Sequence, residues 1–297
     1  MTNTTAKLTY DAIGNREDLT DVITNISPLE TPFLSKFGKV AVKSTLHEWQ
    51  TDSLASAAEN KVIEGADYSF SKVASRTRTG NYSQIAVTPV EVSDSQRAMN
   101  VAGLEDEFAY QMAKKMKEHA RDIEFGLVNG TGNAGTSGAG REVKGVLAWL
   151  TTNVVTGTGT GDEDLTEAMF NDLLQTIWDA GGQPNTAYAN GFQKRQISAF
   201  TGGSTKNVNA TDKELVAGID VYDSDFGRIK IMPHRFMTTS VVAVLQDDLW
   251  KVGFYRPTKK VDVAKVGSAT RAVIETEFTL ESRNEAGSGK ITGLTTA

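Results

Sequence analysis

The closest approach to a chemical signature in this chain is three glycines in FGLVNGTGNAGTSGAG, residues 125–140. Gly130, Gly132 and Gly135 have the G-x-G-x-x-G spacing with which backbone N–H groups bind a pyrophosphate. That chemistry requires the glycines to lie between a strand and the N-terminus of a helix, where free N–H groups meet the phosphate. Here a helical pattern ends at Gly130, and the carbonyl groups of a helix C-terminus repel phosphate. The stretch therefore predicts a joint between two structural parts, with an ordinary left-handed helix end at Gly130.

Two other short motifs in the chain are incomplete. GSGKI, residues 287–291, resembles the second half of a phosphate-binding P-loop. Asn284, however, stands where the leading glycine is required, and the residue after the lysine is neither Ser nor Thr. GTSGAG, residues 135–140, lacks the glycine spacing that exposes a nucleophilic serine on a strained turn. Neither stretch predicts an active site.

The residues that could bind a metal or transfer protons are isolated from one another. His47, His119 and His234 show no H-x-x-x-H spacing for zinc, and a packing or surface role is favoured for each. DVYDSDFG, residues 220–227, lacks the distal Glu of a calcium loop and is better explained as a hairpin turn. We therefore expect no catalytic, cofactor-binding or metal-binding residues, and a protein that is not an enzyme.

The composition excludes several classes of protein. The 297 residues contain 31 Lys and Arg against 37 Asp and Glu, and the net charge of -6 argues against a nucleic-acid-wrapping face or a polybasic membrane anchor. Cys is absent, which excludes a disulfide framework and fits a reducing cytoplasm. No stretch approaches the roughly 20 apolar residues of a membrane span, and the N-terminus lacks the apolar core of a signal peptide. We expect a soluble protein with a full hydrophobic core.

Residues 1–40 are predicted to form a polar arm. Two prolines interrupt it, and the apolar residues Phe33, Leu34 and Phe37 can anchor it. Because an arm with few apolar residues rarely folds on itself, we expect it to lie across a neighbouring surface.

A two-stranded extension is predicted after the arm. KVAVKSTLHEWQT (39–51) and NYSQIAVTPVEVS (81–93) alternate apolar and polar residues as strands do. Residues 52–80 between them contain few large apolar side chains and cannot build a core of their own. Since a lone hairpin is marginally stable in water, the extension implies a partner surface.

A long amphipathic helix over 101–128 is the strongest signal in the chain. At 1.5 Å per residue it spans about 40 Å, and Asp94 or a neighbouring Ser is the expected N-cap. The residues expected on its core face are Leu104, Phe108, Met112, Met116, Ile123 and Leu127.

The second half of the chain predicts a mixed body. GVLAWL (145–150) is predicted to be a buried strand, and residues 165–182 form an amphipathic helix capped by Thr166 or Asp164. A short strand and a helix follow over 186–200. The later strands are expected at 218–223, 227–232, 239–246, 249–255, 260–265 and 271–281. The fold class is α+β.

The order of these parts resembles that of the tailed-bacteriophage major capsid protein family, whose fold is called the Hong Kong 97 or Johnson fold. The residues that carry the resemblance are SPLETPFLSKFGK (27–39), LEDEFAYQMAKKMKEHARDIEFGLVNGTGN (104–133), GVLAWL, and IETEFTLESRNEAGSGKITGL (274–294). The resemblance implies an N-terminal arm (1–40), an extended E-loop hairpin (41–92), a peripheral domain (93–141 and 259–297) with a spine helix (101–128), and an axial domain (142–258). The inter-subunit contacts it suggests are Phe33, Leu34, Phe37, Trp49, Tyr68, Phe70, Arg76 and Arg78.

The same resemblance implies a function. The chain is expected to self-assemble into pentamers and hexamers of an icosahedral head that encloses the double-stranded DNA of a tailed phage. It would be a virion component assembled in the host cytoplasm. The expected partners are further copies, a scaffolding protein, a portal and decoration proteins, with no membrane. Some family members begin with a long scaffolding segment, whereas the arm here starts almost at Met1, which suggests a separate scaffolding protein or none. An encapsulin-like nanocompartment shell, which shares the fold, is the alternative.

Overall fold

The structure is a computed structural model that describes residues 30–52, 54–67, 70, 72–73, 75–99, 106–157, 163–200 and 220–296. Within these ranges the helices are α1 (Pro32–Lys36), α2 (Asp94–Ala98), α3 (Glu107–Asn129), α4 (Val146–Trp149), α5 (Glu167–Asp179) and α6 (Gly191–Ser198). The strands are β1 (Gly38–Ala41), β2 (Leu46–Thr51), β3 (Thr77–Tyr82), β4 (Gln84–Ser93), β5 (Thr131–Asn133), β6 (Glu142–Lys144), β7 (Val154–Thr156), β8 (Thr186–Ala189), β9 (Val221–Ser224), β10 (Gly227–Pro233), β11 (Val242–Leu245), β12 (Trp250–Val263), β13 (Ala269–Ser282) and β14 (Gly289–Thr292).

One half of the body is a long four-stranded sheet in the order β1-β12-β13-β4. The antiparallel pair β12 and β13 runs from Trp250 opposite Ser282 to Val263 opposite Arg271, and β4 pairs antiparallel with the other edge of β13. In β4 the buried residues Thr88, Val90 and Val92 alternate with exposed ones, which is the expected pattern for a strand covered on one side. The long helix α3 supplies that cover, because it packs against β4 and β13.

The other half is a six-stranded sheet in the order β7-β14-β11-β8-β10-β9. Its central strands β8 and β11 are buried along their whole length. The helix α5 begins at Glu167 because the hydroxyl of Thr166 accepts from the amide of Met169, and its apolar side packs into the core of this sheet.

A shared core joins the two halves. The buried cluster contains Phe33 from the arm, Leu127 from α3, Tyr188 from the six-stranded sheet, and Phe278 from the four-stranded sheet. This cluster therefore connects the two sheets, while α5 and the six-stranded sheet form a second buried cluster of their own.

Several predicted elements are corrected by the structure. GVLAWL forms α4 instead of a strand, because the amide of Trp149 bonds the carbonyl of Gly145 and the amide of Leu150 bonds that of Val146. The predicted strand over 39–51 divides into β1 and β2, and the predicted strands 249–255 and 260–265 are one strand, β12. A short apolar run without clear periodicity does not distinguish a helix from a strand.

The predicted long helix begins later than expected. Residues 101–105, including Leu104, lie outside the described residues, and Asp106 caps α3 by accepting from the amide of Phe108. Asp94 belongs to the separate short helix α2, which Ser93 caps. Gly130 ends α3 with φ -54°, so the expected left-handed termination is wrong.

Candidate functional site

A hairpin projects from the body at β2 and β3. The two strands pair antiparallel from Leu46 opposite Tyr82 to Thr51 opposite Thr77, and the described residues between them form no further strand. The apolar side chains of this loop contribute nothing to the core, since Leu54 is 98% and Phe70 is 95% exposed. Val62, Ile63 and Val73 are also exposed. The loop therefore presents an apolar surface to its surroundings.

The basic residues predicted as contacts lie on the stem of this loop. Arg78 pairs with Glu48 at 3.0 Å across the two strands, and Arg76 lies 3.8 Å from Asp52. All four side chains are at least one-third exposed, so these pairs add little to the stability of the isolated chain. Tyr68, the other predicted contact in the loop, lies outside the described residues.

The root of the hairpin is fixed by a buried amide. The side chain of Asn81 donates to the carbonyl oxygens of Leu280 at 2.8 Å and Lys144 at 3.0 Å. Its oxygen accepts from the amide of Lys144 at 2.9 Å. One residue therefore ties β3 to β13 and to β6, so the base of the projecting loop is rigid.

Two buried carboxylates, those of Glu277 and Glu281, also connect the base of the hairpin to the body. Glu277 accepts from the hydroxyl of Ser83 at 2.6 Å, from Arg141 at 2.7 Å and from Arg256 at 2.9 Å. Burial alone raises the pKa of Glu277, but the hydrogen bonds from Ser83 and Arg256 outweigh it, and the pKa lies below its ordinary value. The carboxylate is thus held ionised at the base of the loop.

Glu281 behaves in the same way. His47 on the first strand of the hairpin lies 2.9 Å from its carboxylate, and Arg283 donates to its other oxygen at 2.9 Å. Burial raises the pKa of Glu281, and the hydrogen bonds from His47 and Arg283 lower it by more. His47, which sequence reasoning treated as isolated, therefore joins the hairpin to β13.

The arm is anchored inside the chain's own core. Phe33 and Phe37 are buried, their rings stack at 4.6 Å, and Leu34 packs against the same cluster. This corrects the expectation that Phe33 and Phe37 contact a neighbouring subunit, because their side chains have no surface left to offer. Trp49 likewise packs against its own chain, 5.6 Å from Trp149.

A buried carboxyl group holds this anchor. Glu124 accepts from the amides of Phe33 at 2.7 Å and Leu34 at 3.0 Å, and from the ring of His234 at 2.8 Å. The side chains of Glu124 and His234 are fully buried. The sequence analysis favoured a packing or surface role for His234 and did not single out Glu124, whose partners lie far away in the chain.

The apolar face of α3 differs from the prediction at one position. Phe108, Ile123 and Leu127 are buried, and Met112 is half-buried against Phe108 and its neighbours. Met116 is 42% exposed, which contradicts its expected place in the core. The next turn instead buries His119, whose ring hydrogen-bonds the hydroxyl groups of Thr88 and Thr276.

The glycine-rich stretch is structural. A Cβ at Gly130 would overlap the carbonyl oxygen of Val143, and the amide of Gly145 donates to the carbonyl of Gly130 at 2.8 Å. The residues that follow form the small antiparallel pair of β5 and β6. The close approach of two backbone segments is thus sufficient to explain why this position is glycine. A bound phosphate is not needed to explain it.

Two further findings concern the residues that the structure describes. No group of three His, Asp or Glu side chains there is placed to hold a metal ion. No helix there is long and apolar enough to cross a membrane.

Comparison with known proteins identifies the family. Residues 1–295 match the family described as SU10 major capsid protein. The chain belongs to this major capsid protein family. It is 27% identical over 343 residues to the major capsid protein of Escherichia phage Phieco32, and the match covers 97% of each chain. The major capsid protein family expected from the resemblance is therefore confirmed, and the chain is a structural component of a phage particle.

Solved structures confirm the fold. A chain of the cyanophage A-1(L) capsid asymmetric unit has a TM-score of 0.72 at 12% identity, with 97% of this chain and 98% of the other covered. The SrpI encapsulin of Synechococcus elongatus PCC 7942 has a TM-score of 0.60 at 9% identity, with 95% and 93% covered. The predicted Hong Kong 97-type α+β fold is correct.

Proposed function

We propose that this major capsid protein assembles into the pentamers and hexamers of an icosahedral head enclosing the double-stranded DNA of a tailed phage. The observation that carries the proposal is the projecting loop between β2 and β3, whose apolar side chains are exposed on a rigid stem. Five apolar side chains exposed within one loop favour a protein interaction site. Because the chain belongs to a major capsid protein family, the partner we propose for this surface is a second copy of the chain.

The loop has the properties of an E-loop that docks on a neighbouring copy. Its apolar residues are carried on a stem whose root is fixed by Asn81, so docking orders side chains without reorganising the body. The outer face of β4 offers a matching surface, since Ile85 and Val87 are about half exposed there. Many such weak contacts, repeated around a closed shell, sum to one stable assembly.

We propose the following assignment for the remaining parts. Residues 1–40, of which the structure describes only 30–40, would supply the N-terminal arm. The strands β12, β13 and β4 with α3 would form the peripheral domain with the spine helix, and the six-stranded sheet would form the axial domain. The expected boundary at 259–297 is revised, because β14 pairs with β7 and β11 and so belongs to the axial sheet. The arm and loop would carry contacts between copies, with Leu34, Phe70, Arg76 and Arg78 on the accessible surface.

The further partners are those of a head assembled in the host cytoplasm. We propose a scaffolding protein, a portal and decoration proteins as partners, with the packaged DNA as a non-specific neighbour. An encapsulin-like shell is the competing function, which the similarity to SrpI encapsulin supports to a lesser degree than the phage similarities.

The test replaces residues 52–76 with Asn-Gly. Thr51 and Thr77 are paired, so a two-residue turn joins them without straining the stem. We expect a folded subunit that forms no closed shells by negative-stain electron microscopy and light scattering, whereas the unaltered chain, expressed with its neighbouring genes, closes shells. Normal shell yield from the shortened chain would contradict the role of the loop.

A point variant sharpens this result. Phe70→Ser removes an exposed apolar side chain from the loop and should reduce assembly without changing the stability of the subunit. Met116→Ser removes an exposed apolar side chain from α3 and is the matched control, expected to assemble normally. Shells that enclose a co-purifying protein and no DNA would favour the encapsulin-like function.

A further inference from the structure

One side of α3 carries positive charges that form no ion pair with the residues that the structure describes. Lys114, Lys117 and Arg121 are spaced three and four residues apart, so they share one side of the helix. Lys114 and Lys117 are exposed, and Arg121 is half-buried. The Nε of Arg121 is buried and has no hydrogen-bond partner within the described ranges. We call this side of the helix the basic stripe.

The acidic residues of α3 do not neutralise the basic stripe. Glu118 accepts from Lys115 at 2.6 Å, and this bond contributes most to lowering the pKa of Glu118, with a smaller contribution from the charges of Lys114 and Arg121. Residues 114–122 contain four cationic side chains and two carboxylates. The stripe therefore keeps a net positive charge and attracts an acidic partner.

An apolar patch continues the stripe at its C-terminal end. Phe125 lies four residues after Arg121 and is 55% exposed, and its ring is 6.3 Å from that of the partly buried Phe236. The phosphate backbone of a DNA duplex would match the cations alone. An acidic peptide with one apolar side matches both the cations and the exposed ring.

The arm enters the described part of the chain beside this patch. Glu30, the first described residue, pairs with Arg235 at 3.3 Å, and Arg235 directly precedes Phe236. The amides at the start of α1 bond to Glu124, which directly precedes Phe125. The residues before Glu30 therefore start from the Phe125 end of the stripe.

The sequence of residues 16–27, which lie outside the described ranges, has the composition that the stripe requires. Apolar residues recur at spacings of three and four, which predicts a helix with one apolar side: Leu19, Val22, Ile23 and Ile26. Three acidic residues occupy the N-terminal half of the segment: Glu17, Asp18 and Asp21. Asn15 is a favoured N-cap residue, and Pro28 disfavours continuation of a helix beyond Ser27.

The segment and the stripe also agree in length and direction. A helix over 16–27 would be roughly 16 Å long, and the distance along α3 from Lys114 to Phe125 is roughly 16 Å as well. Only residues 28 and 29 separate the segment from Glu30, so its C-terminal half would lie near Phe125. Its acidic half would then lie beside the lysines of the stripe.

The short connection favours the chain's own segment over that of another copy. Joining two binding elements by a short linker gives an effective concentration on the order of millimolar. Separate copies of a dilute subunit do not reach that concentration.

We propose that residues 16–27 dock as an amphipathic helix on the basic stripe and on Phe125 of their own chain. Docking would cover the apolar side of the segment in the unassembled subunit and would supply an acceptor for Arg121. Residues 1–15 would remain available to other copies. This contact lies within one chain and does not rest on the capsid function proposed above.

The test is carbodiimide cross-linking of the full, unassembled chain, which joins a carboxylate to a nearby lysine amine, followed by peptide mass spectrometry. We expect links from residues 16–27 to Lys114 or Lys117 that are about fivefold or more as frequent as links to Lys43. Lys43 is exposed and lies nearer to the segment along the chain, so it measures the effect of tethering alone. Equal frequencies would overturn the proposal, and this measurement requires no substitution.

Isotope labelling distinguishes docking within one chain from exchange between copies. The chain is cross-linked as an equal mixture of unlabelled and nitrogen-15-labelled protein. We expect each link to join two peptides of the same label. Mixed pairs at the frequency of random pairing would assign the stripe to the arm of a second copy and overturn docking within the chain.

A matched pair of variants tests the apolar side of the segment. Ile23→Asp places a charge on that side and should reduce the links about fivefold or more. Thr24→Asp makes the same change of charge on the opposite side of the predicted helix and should keep the wild-type links. Equal effects of the two substitutions would contradict a docked amphipathic helix.

DNA is the competing occupant of the stripe. Acetylation of Lys114 and Lys117 should increase in Ile23→Asp, because the segment no longer covers them. Acetylation that is unchanged by Ile23→Asp but blocked by a short DNA duplex would assign the stripe to the phosphate backbone and overturn the proposal. All these measurements use unassembled chains, so their failure would leave the proposed shell assembly intact.

Discussion

The indole rings of Trp49 and Trp149 lie 5.6 Å apart and join the projecting hairpin to the body. Trp49 is on the first strand of the hairpin, and Trp149 ends α4 in the shared core. The ammonium group of Lys144 lies over the Trp149 ring at 4.1 Å and covers the pair from the side of β6. The loop is thus exposed at its tip and packed at its base.

We expect Trp49→Ala to lower the free energy of unfolding by about 2–3 kcal/mol, because it removes a large, partly buried ring from the core and leaves a cavity at the stem. Urea unfolding followed by circular dichroism measures the loss. Trp178→Ala is the matched control, since that ring is 58% exposed, and it should change stability by less than about 1 kcal/mol. Equal losses for the two variants would show that the hairpin is not rooted through Trp49.

The glycine-rich stretch makes a second prediction. Gly130→Ala should be severely destabilising, by about 3 kcal/mol or more, because the added Cβ would overlap the Val143 carbonyl oxygen and force two backbones apart. Gly138 lies in the same stretch, and a Cβ added there would meet no atom within 4 Å. The Gly138→Ala substitution should therefore leave stability unchanged or raise it slightly. The difference in melting temperature between the two variants tests the assignment, and similar values would contradict a structural role for Gly130.

The root of the hairpin should also be sensitive to acid. The folded-state pKa values of Glu277 and Glu281 lie below their ordinary values. Their ionised forms therefore contribute stability that is fully present above the unfolded pKa of about 4.3 and is lost as pH falls through the folded values. Urea unfolding at steps between about pH 7 and about pH 3 should show this loss.

Two substitutions check the source of that acid sensitivity. Glu277→Gln should lower stability at neutral pH and flatten the dependence on pH, because the titrating group is gone. Glu91→Gln removes a half-exposed carboxylate that pairs with Arg271 on the same sheet, and it should leave the profile nearly unchanged. A profile that Glu277→Gln does not flatten would exclude Glu277 as a source of the acid loss.

Features with local causes could be predicted from the sequence. The helix α5 follows from its apolar spacing and the cap at Thr166, and the buried alternation of β4 follows from its period of two residues. The exposed loop between β2 and β3 follows from a composition too poor in apolar residues to build a core. Each of these depends on residues within a single helix, strand or loop.

Contacts between distant residues could not be predicted in this way. Phe33 and Phe37 were expected to contact another copy, and only the fold shows the pocket of their own chain that receives them. The strand β14 joins the six-stranded sheet because β7 and β11 are its partners, which no pattern inside residues 289–292 reveals. Met116 fits the apolar spacing of α3 and is nevertheless exposed.

The sequence by itself determined the α+β class, the long helix, an exposed loop after residue 51 and the resemblance to a capsid family. The expected pairing of 39–51 with 81–93 is wrong, because 84–93 pairs with β13 and 38–41 with β12. Periodicity, composition and the order of parts can all be read from the sequence without a structure. Only the tertiary structure decided which polar residues are buried and with whom. Glu124 is stable inside the core because it is hydrogen-bonded by Phe33, 91 residues away, and by His234, 110 residues away. The cost of burying a polar side chain depends on such distant hydrogen-bond partners, and no local pattern contains them.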